Sequence, residues 1–79
     1  MGPRFELIEL CWSFLGLTER PISCAIGRVD GPGVEVRVGY SIEEPMRIKR
    51  VPDMNAAREL ATQWRQALLD KGFEELKHE

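Results

Sequence analysis

Two periodicities divide this chain. From position 34 to 40, Val34, Val36, Val38 and Tyr40 alternate with Glu35, Arg37 and Gly39. A two-residue period marks a strand with one buried face. Further on, Ala57, Leu60, Ala61, Trp64, Ala67 and Leu68 recur at helical spacing and form one apolar stripe. The first pattern predicts a sheet. The second predicts a helix laid across it, with Trp64 as its central knob.

The neighbouring segments extend both elements. Ile22, Cys24 and Ile26 alternate with Ser23, Ala25 and Gly27, and Asp30-Gly31-Pro32-Gly33 is dense turn chemistry, so a β-hairpin is predicted over 22–40. Register follows from the faces. A four-residue loop would set Ile26 opposite Arg37 and split the apolar set. A five-residue loop, 29–33, sets Ile26 opposite Val36, Cys24 opposite Val38 and Ile22 opposite Tyr40. Pro45 and Pro52 bracket a third strand, 46–51, in which Met46 and Ile48 alternate with Arg47 and Lys49. The helix should then begin at Asp53, whose carboxylate can accept from the free N–H groups of the first turn. It should end at Gly72 in the left-handed conformation, with Phe73 folding back on Leu68.

Residues 4–17 admit two readings. As a strand, the segment puts Glu6, Ile8, Leu10, Trp12 and Phe14 on one side. As a helix, it aligns Glu6, Glu9 and Ser13 at three- and four-residue spacing. Gly16 and Pro21 end it either way. A strand is preferred because a meander needs both edges of its hairpin covered. The expected fold is α+β: an antiparallel β-meander of three to four strands with one C-terminal helix packed across one face, in a single domain over 1–79.

Composition then narrows the class. Seventy-nine residues are near the lower limit for a self-sufficient core, so a second chain completing it is an open possibility. A hydrophobic share of 43% with 30% charged residues is that of a folded globular chain and excludes a disordered one. A net charge of −2 weighs against a general nucleic-acid binder. Cys11 and Cys24 form no C-x-x-C pair and are read as two buried thiols in a reducing compartment. No secretory pattern opens the sequence and no apolar run approaches membrane-spanning length, so a cytoplasmic location is expected.

One resemblance rests on Val34-Glu35-Val36-Arg37-Val38-Gly39-Tyr40, Ala56-Ala57, Trp64-Arg65-Gln66-Ala67-Leu68 and Lys71-Gly72-Phe73-Glu74-Glu75-Leu76. From the hairpin onward, about half the chain resembles short bacterial proteins built as a β-meander closed by one helix. That resemblance implies a bacterial cytosolic origin and brings no known activity. A second is topological. With a helical first segment, the order α-β-β-β-α is similar to the double-stranded-RNA-binding domain, and Gly31-Pro32 stands where that family carries a Gly-Pro. The chain departs from the family after it: Gly33, Val34 and Glu35 replace a histidine. The last helix opens with Asp53, Met54 and Asn55 rather than a phosphate-gripping lysine cluster.

Candidate chemistry is sparse. His78 is the sole histidine, so neither a Ser-His-Asp nor a Cys-His arrangement can be assembled locally. Cys11, Cys24 and His78 lack zinc-site spacing, and Gly31-Pro32-Gly33 lacks that of a phosphate cradle. Glu43-Glu44 and Glu74-Glu75 are read as solvated pairs. No catalytic, cofactor-binding or metal residue is assigned, no cofactor is expected, and the chain is read as a non-enzyme. Two candidate partner surfaces remain. One is a basic outer sheet face of Arg37, Arg47 and Lys49, partly neutralised by Glu35 and read mainly as solvated. The other joins Leu69, on the polar side of the helix, to the surplus aromatics Trp12 and Phe14. The expected function is an interaction module for an unknown protein partner or for itself as a homodimer. A weak nucleic-acid-binding domain is the alternative.

Overall fold

A computed structural model describes residues 5–15, 20–41 and 44–76. Five strands and one helix follow one another as β1 (Glu6–Leu15), β2 (Pro21–Arg28), β3 (Val34–Ser41), β4 (Glu44–Val51), α1 (Met54–Asp70) and β5 (Glu74–Leu76). All strand pairs are antiparallel and the sheet order is β4-β3-β2-β1-β5. The class is α+β, as expected. The first segment is a strand over its described residues, so the order of the RNA-binding domain does not hold. The sheet also has one strand more than the expected upper figure of four. β5 follows the helix and pairs with β1 through Ser13↔Leu76, Phe14↔Glu75 and Leu15↔Glu74, covering part of an edge that would otherwise be open.

The hairpin register is the one predicted. Residues 29–33 connect β2 to β3, and Ile26 pairs with Val36 and Cys24 with Val38. The ladder ends at Ser23↔Gly39, one step short of the expected Ile22–Tyr40 pair, because Tyr40 falls on a bulge of β3 against β4. At Gly39 the two backbones approach so closely that an added Cβ would collide with the Glu44 carbonyl.

Both helix ends match their signals. The Asp53 carboxylate accepts from the Ala56 N–H at 2.8 Å. At the other end Gly72 has φ 87°. Its N–H donates to the Leu69 carbonyl at 3.0 Å, and the Phe73 N–H to the Leu68 carbonyl at 3.1 Å. Those two bonds are the 5→2 and 6→1 pair of a Schellman motif.

The core lies between the helix and one sheet face, and holds Trp12, Phe14, Ile22, Cys24, Ile26, Val34, Val36, Val38, Ala57 and Ala61. Its centre differs from expectation. Ala57 and Ala61 are the only fully buried helix residues among those described, and their small side chains leave room at the centre of the interface. Into that gap rises Trp12, 5% exposed, whose indole Nε1–H donates to the Ala61 carbonyl at 2.8 Å. Phe14, fully buried, meets it edge-on at 5.2 Å. Trp64 is half-buried at the rim, under the Arg47 guanidinium. The central knob is thus Trp12, supplied by the sheet, and not Trp64.

Candidate interaction surface

β1 decides what the other sheet face looks like. Its ladder with β2 skips a residue twice, at Ile8 between Leu7↔Gly27 and Glu9↔Ile26, and at Cys11 between Leu10↔Ala25 and Trp12↔Cys24. Each bulge resets the alternation of side chains. Leu10 and Trp12, two apart and expected on one side, therefore point to opposite faces. Trp12 and Phe14 enter the core, while Leu7 and Leu10 stand on the face the helix does not cover. Both are 53% exposed.

The same phase governs β4. Arg37↔Ile48 places Ile48, 49% exposed, on the outer face. Val38↔Arg47 and Val36↔Lys49 place Arg47 and Lys49 on the helix side, at the sheet edge. The expected basic face of Arg37, Arg47 and Lys49 is therefore not formed, since only Arg37 of the three lies on it. The helix does not reach far enough to cover β4, and the long stems of Arg47 and Lys49 can occupy that margin with their charges in solvent.

Arg37 is also not a bare cation. It pairs with Glu35, two residues back on the same face, and its guanidinium lies over the Phe5 ring at 4.4 Å. Phe5 in turn covers Gly27, where a Cβ would strike the ring. The centre of the outer face is thus a charge-neutral stack of Gly27, Phe5, Arg37 and Glu35, flanked by Leu7 and Leu10 on one side and Ile48 on the other. A shallow depression of about 170 Å³ runs between Leu7, Leu10, Ala25, Arg37 and Tyr40. Ser13 and Ser23 hydrogen-bond to each other at 2.8 Å across β1 and β2.

The remaining predicted residues lie elsewhere. Trp12 and Phe14 are buried and cannot line a partner surface. Leu69 is half-buried and packs against the core, one helical turn after Arg65. There the Arg65 guanidinium grips the Glu75 carboxylate with two bonds, at 2.7 and 2.6 Å, and Glu75 in turn holds the Arg65 pKa above its ordinary value. His78 and Glu43 lie outside the described residues, as do Arg4, Gly16 and Leu17 of the first segment.

On the helix side, a groove of about 240 Å³ opens between Trp12, Met46, Arg47, Trp64, Leu68 and Lys71. Another, about 400 Å³ and shallow, lies between β1 and the helix. Arg58 spans it to Glu9, at 3.0 and 3.3 Å, and this carboxylate raises the Arg58 pKa. Among the described residues, no group of three or more His, Cys, Asp or Glu side chains is placed to hold a metal ion. Every buried side-chain polar atom described has a partner, so none is left aimed at an absent ligand. No described helix is long and apolar enough to cross a membrane.

Two features of this surface had no sequence signal. The bulges of β1 are not marked by Gly or Pro, and Phe5 read as one more apolar residue of an ambiguous segment. Comparison with protein families, with curated proteins and with solved structures returns no match for the chain.

Proposed function

We propose that this chain is a small interaction module that acts by association rather than catalysis, and that its outer sheet face binds a second copy of itself. The observation that supports this reading is the grouping of Leu7, Leu10 and Ile48, each about half exposed, around an Arg37 already neutralised by Glu35. Two-fold association brings the same patch against itself. A patch with a free cation at its centre would then oppose like charges. Here the central charge is paired within the chain, and large aliphatic side chains stand where an interface core needs them. A bacterial cytosolic setting fits the resemblance over the second half of the chain and belongs to the same proposal.

Light scattering after size exclusion, over a range of concentrations, tests it. The parent should pass from monomer to dimer as concentration rises. Leu10→Lys and Ile48→Glu, both at exposed positions, should give folded monomers with unchanged circular dichroism. A parent that remains a 9.0 kDa monomer at millimolar concentration overturns the proposal.

A further inference from the structure

The second bulge of β1 has a chemical consequence. Two residues there oppose one on β2, and the extra one is Cys11, beside the pair Trp12↔Cys24. Released from strict alternation, Cys11 packs against the same core as Trp12, on the helix side. The bulge sets Cys11 and Trp12 together opposite Cys24, and all three side chains pack in the same core, with the Cys11 thiol also donating to the Glu9 carboxylate at 4.0 Å. Thirteen positions separate the two in the chain (11 to 24), yet they meet. Their surroundings are unequal. Cys24 is fully buried, whereas Cys11 is half-exposed and lines the shallow groove with Glu9, Arg58 and Arg65. Cys11 is thus the more accessible of the two residues and Cys24 the enclosed one.

We propose that Cys11 and Cys24 form a hydroperoxide-sensitive thiol pair, in which Cys11 is oxidised first and Cys24 resolves it to an intrachain disulfide joining β1 and β2. In the first step the Cys11 thiolate attacks one oxygen of the hydroperoxide. An S–O bond forms, the O–O bond breaks, and the other oxygen leaves as an alcohol, or as water from hydrogen peroxide. The sulfur is oxidised by two electrons to sulfenic acid. In the second step the Cys24 sulfur attacks the Cys11 sulfur. The S–S bond forms, the S–O bond breaks, and hydroxide leaves as water with the Cys24 proton. The sum is two thiols and one hydroperoxide giving a disulfide, an alcohol and water. A dithiol reductant reverses it by exchange.

The electrostatics favour Cys11 as the sulfur oxidised first and leave Cys24 protonated until the second step. The Cys24 thiol, by hydrogen bonding to Cys11, is the largest influence on it and holds its pKa below the ordinary thiol value. Burial and Glu9 oppose this, and Arg58 adds to it. Cys24 is pushed up by the same hydrogen bond and by burial, and so keeps the proton that the departing oxygen takes. The accessible sulfur is the better nucleophile in the first step, and the enclosed one is protected from direct attack.

The test uses the full reduced chain and hydrogen peroxide. The folded parent should lose two hydrogens by intact mass, remain monomeric in covalent terms, and recover both thiols with dithiothreitol. Cys24→Ser should accumulate a dimedone adduct on Cys11, while Cys11→Ser should give none on Cys24. Should Cys24→Ser not fold, alkylation of the parent stopped part-way through oxidation reads the order of events, with Cys11 consumed first. The folded parent should also react faster than the same chain in urea, where both thiols are ordinary. Disulfides between chains, a first adduct on Cys24, or oxidation no faster in the folded than in the unfolded protein would each overturn the proposal.

Discussion

At the scale of single residues, the two tryptophans carry unequal weight. Trp12 is enclosed, in edge-on contact with Phe14 and hydrogen-bonded to the helix backbone, whereas Trp64 lies half-exposed beneath Arg47. Trp12→Ala should cost about 3–5 kcal/mol, the range for a large aromatic removed from a core. Trp64→Ala should cost about 1–2 kcal/mol, since only part of its area and a cation–π contact are lost. A chain this short holds roughly 3–5 kcal/mol in all. The first variant is therefore expected to be largely unfolded at 25 °C and the second to remain folded. Urea titration of both checks the ranking, and equal midpoints would refute it. From the sequence alone the order looked reversed. Trp64 sits on a visible helical stripe, while Trp12 sits in a segment whose alternation is broken by two bulges. Periodicity reveals burial only where the backbone keeps its period.

At the scale of elements, legibility followed local chemistry. The helix, its Asp53 cap, its Gly72 terminus and the hairpin register were all readable, because each depends on residues within a few positions or on matching two regular strands. β5 was not readable, since three residues after a helix carry no period and gain their pairing only from a distant β1. The face of Arg47 and Lys49 was misjudged for a related reason. Alternation shows which residues share a side but not which side it is, and the β3–β4 register settles that through Arg37↔Ile48. The helix ends offer a direct measurement. Asp53→Ala should lower stability by about 1 kcal/mol and Asp53→Asn by much less, because only alanine loses the acceptor for the Ala56 N–H. Gly72→Ala should cost about 1 kcal/mol through the left-handed backbone, although no neighbour stands within 4 Å of the added methyl. Thermal melts of the three variants check these values, and a Gly72→Ala protein melting with the parent would refute the conformational penalty.

At the scale of the whole molecule, the distribution of charge argues against nucleic acid as the partner. Arg37 is paired on the outer face, Arg47 and Lys49 lie at the opposite face, and the net charge is −2. Titration with mixed single- and double-stranded oligonucleotides at ~150 mM salt should show no saturable binding tighter than about 10⁻⁵ M. Micromolar binding that Arg47→Glu abolishes would restore the alternative. The sheet also imposes an order on folding. β2, β3 and β4 meet their neighbours through short connections, whereas β5 pairs with β1 only after the helix has crossed the sheet from the β4 side. Ser13 and Leu76, partners in the finished ladder, come from opposite ends of the described chain. Closing so long a loop is slow compared with hairpin formation. For that interval the β1 backbone groups that β5 will satisfy remain a free template, available to the same edge of another nascent molecule. The concentration of newly made chain therefore bears on whether the β1 edge is completed by its own β5 or paired by another molecule.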